Sequence, residues 1–253
     1  MLTAYLNATA NLLQNPAAPT SLYSTANLTT YINTARGQLA GEAECIRFLA
    51  SISTIVGTTT YNFSALNTGV AATNGIEGAI NIRAMWYGIA SGKKWIAPKT
   101  WEWFGQYHLN NPVPISGPPK VWSQFGQGSA GTATGSGASG SFYIDPAPDA
   151  IYTLYCDCVC YPQPLAADVD VEAIPYLWTD AVPFFAAYYA LLSSQTNARM
   201  ADAERYFNAY TKFVERARTA ANPSPNRWMY SQAADPAQAP KMQVKGPAGI
   251  GAG

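Results

Sequence analysis

Apolar residues recur at three- and four-residue steps near the N-terminus, and this spacing predicts two helices there. The run from Leu2 to Leu13 ends before Pro16, which is typical of a short amphipathic helix. In the second helix Ser24 stands where a cap is expected, and the apolar positions continue through Ile46 and Leu49.

The helical period returns in the C-terminal part of the chain. A helix beginning near Asp180 has Pro183 in its first turn, where a missing N–H is tolerated. The next helix runs from about Ala198 to Ala221, with acidic residues early and basic residues late, the order that complements a helix dipole.

Between these two helical regions the spacing of apolar residues changes to the pattern of β-strands. The predicted strands are 58–63, 79–87, 93–97, 121–125, 141–144 and 150–161, with one short helix over 99–109. Helices, then strands, then helices exclude a doubly wound α/β fold. We expect an α+β protein in which a helical bundle core, built from the N-terminal and C-terminal helices, is interrupted by a β-rich insertion and followed by an extended C-terminal tail.

The pattern divides the chain into four parts. Residues 1–51 and 166–221 supply the N-terminal and C-terminal helices of the core, 52–165 form the β-rich insertion, and 222–253 form the tail. The tail has five prolines, four glycines and no periodicity, so it cannot build a core of its own. Its aromatic, Met and basic side chains are typical of docking onto another subunit. The predicted partner-binding residues are Arg227, Trp228, Met229, Tyr230, Lys241, Met242 and Lys245.

The charge composition limits the kinds of partner that the protein is expected to bind. The chain has 15 Lys and Arg against 15 Asp and Glu, and only 12% of its residues are charged. A protein that grips DNA or a membrane surface would carry a basic excess, whereas low charge with 13% aromatics is typical of surfaces that face other proteins. The charges are unevenly distributed along the chain. Residues 151–200 have five acids and one Arg, whereas residues 201–253 have seven bases and four acids.

The cysteines predict neither a disulfide nor a metal site. Cys156, Cys158 and Cys160 alternate along one predicted strand, about 6.6 Å apart on one face, which is too far for pairing. With Cys45 alone and one His in the chain, zinc spacing is lacking, so we expect reduced cysteines, no metal and no cofactor. No secretory signal precedes the first helix, and the longest apolar run is half of a membrane span, which predicts synthesis in the cytoplasm and no membrane partner.

Motifs for catalysis are weak. Two G-x-G-x-x-G matches in Gly126–Gly140 precede a strand instead of a helix and indicate a flexible loop, and His108 has no nucleophile motif beside it. Asp168–Glu172 is interpreted as an acidic cluster at a helix start. No spacing singles out a catalytic pair among the remaining acids, so we expect no enzyme. The acids considered are Glu102, Asp145, Asp149, Asp157 and Glu172.

Aromatic residues crowd into one region of the β-rich part, and they leave two interpretations open. Packing within a small β-domain is the commoner cause, and an exposed carbohydrate-binding platform is the alternative. The residues are Tyr87, Trp95, Trp101, Trp103, Tyr107, Trp122 and Phe125.

Four motifs together resemble the head-to-tail adaptor (head-completion, neck) proteins of tailed bacteriophages. They are the segment 31–36 (YINTAR), TIVGTTTYNF at 54–63, FYIDPAPDAIYTLYCDCVCYPQPL at 142–165 and IPYLWTDAVPFFAAYYALLSSQ at 174–195. The resemblance implies a virion structural protein of the neck, which forms a ring, usually of twelve copies, beneath the portal. Its implied partners are the portal protein, further copies of itself, the next tail or neck protein, and DNA that passes through the channel without sequence-specific binding.

Two other functions compete with this one. A cell-wall-degrading or carbohydrate-binding tail component would use the aromatic region and an acid such as Glu102. A tail terminator or stopper would differ from the adaptor only in ring position and symmetry.

Overall fold

The computed structural model describes residues 1–16, 21–66, 74–88, 92–107, 116–126, 140–193 and 199–221. Five α-helices and seven strands lie within these ranges. The helices are α1 (Leu2–Leu13), α2 (Thr25–Ala43), α3 (Trp101–Tyr107), α4 (Ala181–Ser193) and α5 (Met200–Ala221). The strands are β1 (Arg47–Ser53), β2 (Thr60–Asn62), β3 (Ile76–Tyr87), β4 (Lys94–Pro98), β5 (Val121–Phe125), β6 (Ser141–Asp145) and β7 (Thr153–Pro162). Short 3-10 helices cover Phe63–Leu66 and Tyr176–Trp178.

The second helix begins as predicted and ends earlier than predicted. The Ser24 hydroxyl accepts a hydrogen bond from the Asn27 N–H, which confirms the cap. Glu44 takes a left-handed conformation with φ of 51°, and its N–H donates to the Ala40 carbonyl. The predicted continuation through Ile46 and Leu49 is wrong, because the chain turns there and enters β1. Apolar spacing alone could not show this, since a short run of apolar residues fits a helix or a strand.

The seven strands form one curled sheet in the order β1-β7-β3-β4-β5-β6-β2. All neighbours are antiparallel except β4 and β5, which are parallel. The central β3–β7 pair carries three register shifts, which bend the two strands. The predicted strand over 58–63 is shorter in the structure, because the chain leaves β2 and forms a 3-10 turn at Phe63.

Helices and sheet share one apolar core. Helix α4 packs against α1, α2 and α5, and α2 also packs against β7. The main cluster joins Ile32, Val182 and Tyr210 from the helices to Met85 and Phe142 from the sheet. The α+β class is therefore confirmed. The core differs from the expected helical bundle, because it extends from the helices into the sheet. The division into four domains stays a prediction.

Close contact between α2 and β7 depends on one glycine. A Cβ added at Gly37 would collide with the hydroxyl and ring of Tyr161, whereas a Cβ added at Gly41 meets nothing. Gly37 therefore lets a tyrosine of the sheet lie directly against the helix.

Several predicted features lie outside the described residues. They are His108, residues 127–139 of the glycine-rich loop and all of 222–253, including the predicted docking residues. In the part of the chain that is described, no helix is long and apolar enough to cross a membrane.

Candidate functional site

Residues 163–178 form an extended segment, here called the strap, which crosses α1 and α2 before α4 begins. Two residues of the YINTAR motif hold its first part. The Asn33 amide accepts from the Leu165 N–H at 2.9 Å and donates to the Leu165 carbonyl at 3.0 Å. Arg36 donates to the Gln163 carbonyl at 2.7 Å. This polar pairing fixes the strap against the apolar face of α2.

A buried ion pair fixes the middle of the strap. The Arg36 side chain is 1% exposed and the Glu172 side chain 10% exposed, and their closest N–O distance is 2.8 Å. Arg36 Nε also donates to Glu172 Oε2 at 3.0 Å, so the contact uses both sides of the guanidinium fork. Glu172 Oε1 accepts from the Ile174 N–H at 2.9 Å. Neither charge lacks a partner, which is the condition for holding such a pair inside a protein.

Two aspartates fix the rest of the strap. Asp168 accepts from the hydroxyl and the N–H of Thr3 at the start of α1, and these hydrogen bonds lower its pKa to about 2. Asp170 accepts from the N–H groups of Ala166 and Ala167, which lowers its pKa. The interpretation as a helix-start cluster is wrong, because residues 168–172 lie in a turn and the irregular chain after it, and the next α-helix begins only at Ala181. Asp168 instead contacts the start of α1, which lies far away in sequence.

The strap presents apolar side chains to solvent while Glu172 binds inward. Val169 is 88% exposed and Val171 50%, and in the turn that follows Tyr176 is 84% and Leu177 73% exposed. This is the reverse of ordinary surface patterning, in which apolar residues are inside. Four large exposed apolar side chains within nine residues make the strap the candidate interaction surface of this structure.

The C-terminal end of α5 is held by the sheet. Arg47 on β1 and Arg83 on β3 both donate to the Ala221 carbonyl, at 3.4 and 3.3 Å. Two guanidinium groups at a helix C-terminus offset the negative end of its dipole. The point where the chain enters residues 222–253 is thereby fixed relative to the sheet.

Most aromatic side chains of this region pack against other aromatic rings in the structure. Trp86 lies between Trp95 and Tyr155, with ring centroids at 4.9 and 6.2 Å. Trp101 packs on Phe125 and Tyr143, at 4.8 and 4.6 Å. Of the predicted group Trp122 is buried, whereas Trp95 and Phe125 are about half exposed. Packing therefore accounts for most of these rings.

Three of the acids considered for catalysis have partners within the protein. Asp157 pairs with Arg47, Asp149 accepts from the Tyr152 hydroxyl, and Glu172 pairs with Arg36. Within the described ranges no group of three His, Cys, Asp or Glu is placed to hold a metal ion.

The cysteines are unpaired and packed as predicted. Burial raises the pKa of the Cys156 and Cys160 thiols to about 12, and that of the half-buried Cys45 to about 11. Such thiols stay protonated at neutral pH and are poor nucleophiles.

A protein-family model matches residues 2–233, nearly the whole chain. Its description is SU10 adaptor protein. The chain belongs to this family. It is accordingly a phage adaptor protein, a structural component of the virion. At this level the family match agrees with the resemblance found in the sequence motifs. No curated protein matches the chain.

The extent of the family match separates the predicted docking residues into two groups. Arg227, Trp228, Met229 and Tyr230 lie inside it, whereas Lys241, Met242 and Lys245 lie beyond its end. The match also includes the whole strap, which the sequence had not indicated as a surface. One feature of the sequence could have indicated the strap. Arg36 lies among apolar positions of α2, and an arginine at such a position needs an acidic partner from elsewhere in the chain.

Proposed function

We propose that this phage adaptor is the head-to-tail connector of its virion. Copies form a ring, usually of twelve, beneath the portal vertex, continue the DNA channel and provide the attachment site for tail components. Membership of the adaptor family over residues 2–233 is the observation that carries this proposal. A formal net charge of zero favours it as well, because DNA moves more freely past a wall without a basic excess.

In this proposal the C-terminal tail binds the portal protein. Ala221 is anchored by Arg47 and Arg83, so each copy in a ring would start its tail from an equivalent point. The tail then offers Arg, Trp, Met and Tyr at 227–230, residue types that dominate the energetics of protein interfaces. An extended docking segment gains affinity from a fixed starting point, because less freedom is lost on binding.

Deletion of residues 223–253 tests the tail. The truncated chain keeps Ala221 and its two arginine contacts, so we expect it to melt within a few degrees of the full chain. We also expect it to lose co-sedimentation with purified portal rings. Normal portal binding by the folded, truncated chain would show that the tail is not the docking segment.

Two matched variants locate the anchors. Replacement of residues 227–230 by alanine should abolish portal binding if the family-matched part carries it, whereas alanine at Lys241, Met242 and Lys245 serves as the comparison. Electron microscopy of particles then tests the ring itself. Copies at the neck, arranged symmetrically about the channel, are expected, and copies located only at the distal end of the tail would refute the head-to-tail role.

A further inference from the structure

The exposed apolar side chains of the strap have no cover within the described part of the chain. Val169, Val171, Tyr176 and Leu177 are at least half exposed. Their backbone is held by Asn33, Arg36 and Thr3 contacts and packs closely on Gly75, where an added Cβ would collide with the Val171 carbonyl. The backbone that carries Val169 and Val171 is therefore held in place before any partner arrives, which reduces the entropy lost on binding.

The charge of the strap restricts what can cover it. It contains Asp168, Asp170 and Glu172 and no Lys or Arg. Glu172 pairs with the buried Arg36 and Asp168 pairs with the N-terminal ammonium of Met1, so within the described residues Asp170 is the strap acid without an ion-pair partner. A partner surface that combines apolar groups with positive charge therefore complements the strap. Complementary rim charges accelerate encounter and fix register more than they add affinity.

The outer side of α5 has these properties. Half-buried Ala209 and Phe213 lie in an open groove along one face of α5, whose described lining residues all belong to that helix. Phe213 stacks on Phe184 of α4, with ring centroids 6.0 Å apart. Arg205, Lys212 and Arg216 line the same groove with one acid, Glu204, a balance of 3 − 1 = +2. Within the residues that the structure describes, none of these three cations is engaged in a hydrogen bond or ion pair.

We propose that the strap of one copy docks into the α5 groove of the next copy, with Tyr176 and Leu177 entering the groove between its cations. The occupant is a second copy of this chain because both halves of the contact, acidic and apolar on one side, cationic and apolar on the other, are present on one sequence. Two different patches that complement each other make a head-to-tail contact, which generates a ring where the rotation between copies closes and an open filament where it does not. This inference rests on the proposed ring and names the surfaces that build it.

Disulfide trapping in assembled particles tests the pairing. The full chain carrying Leu177→Cys and Lys212→Cys is oxidised, and a non-reducing gel should show a ladder of dimers, trimers and larger multimers. Either single-cysteine chain should stay monomeric, since the native thiols are buried or half-buried. A chain with Ile55→Cys and Lys212→Cys is the matched control, because Ile55 is 63% exposed against 73% for Leu177 and lies on a different loop. A ladder from the control pair alone, or dimers from Leu177→Cys alone, overturns the inference.

A second measurement uses the unmodified chain, in case the variants do not assemble. Carbodiimide links neighbouring lysines and carboxylates, and mass spectrometry should find Lys212 joined to Asp170 or Asp180 of another copy. Inter-copy links found only elsewhere overturn the inference. Electron microscopy of the same particles separates the two proposals: a neck ring without these links refutes the strap–groove pairing alone, whereas particles without copies at the neck refute the proposed function.

Discussion

Removal of one partner of the Arg36–Glu172 pair should strongly destabilise the protein. Glu172→Met leaves the Arg36 guanidinium, 1% exposed, with only the Gln163 carbonyl and the Asn33 amide oxygen as acceptors. A buried charge without a counter-ion costs about 3–5 kcal/mol of unfolding free energy. For a chain of this size that corresponds to a fall in Tm of about 6–20 °C.

Combination of the two replacements sharpens the test. In Arg36→Met with Glu172→Met no buried charge remains, and apolar replacement of a buried pair is often neutral. The double variant should therefore be more stable than either single variant. Some loss remains, because Arg36 also donates to the Gln163 carbonyl, and that acceptor then lacks its donor.

Urea unfolding followed by circular dichroism measures these free energies, with thermal melting as a second readout. Asp202→Asn is the control, because it breaks the solvent-exposed Arg199–Asp202 pair and should cost about 0–1 kcal/mol. A loss below about 1 kcal/mol for Glu172→Met, or a double variant less stable than both singles, would refute the role assigned to the buried pair.

Three further outcomes follow from the structure. Gly37→Ala should destabilise the protein by about 1–3 kcal/mol because its Cβ meets Tyr161, whereas Gly41→Ala should stabilise α2 by about 0.5–1 kcal/mol, as urea unfolding will show. The lowered pKa of Asp168 means that its hydrogen bonds to Thr3 stabilise the fold fully above pH about 4 and are lost as pH falls to about 2, so the stability difference between wild type and Asp168→Asn should vanish over that range. The three buried thiols of β7, Cys156, Cys158 and Cys160, should react with a chromogenic disulfide within minutes only after unfolding, and rapid reaction of more than one thiol of the native chain at pH 8 would contradict their burial.

Local patterns predicted those elements whose own residues decide their structure. Ser24 as a cap, the amphipathic period of α5 and the alternation of the cysteines on β7 each depend on a few neighbouring residues, and the structure confirms all three. The boundary after α2 was missed because Glu44 adopts a left-handed conformation that sequence rarely signals outside glycine. The strap was missed because its order comes from partners more than a hundred residues away, Arg36 and Thr3.

The sequence by itself determined the α+β class and a composition poor in charge, since these follow from periodicity and residue counts, and four of its motifs carry the resemblance to phage adaptors. The tertiary structure decided which charged side chains form ion pairs and hydrogen bonds within the protein. The pattern along the chain indicates that the acids of 168–172 form a cluster at a helix start, yet folding brings Arg36 to Glu172 and Thr3 to Asp168 and leaves the intervening valines exposed. Only distant contacts can reverse a surface in this way, because the energy of a buried charge depends on what the fold places beside it.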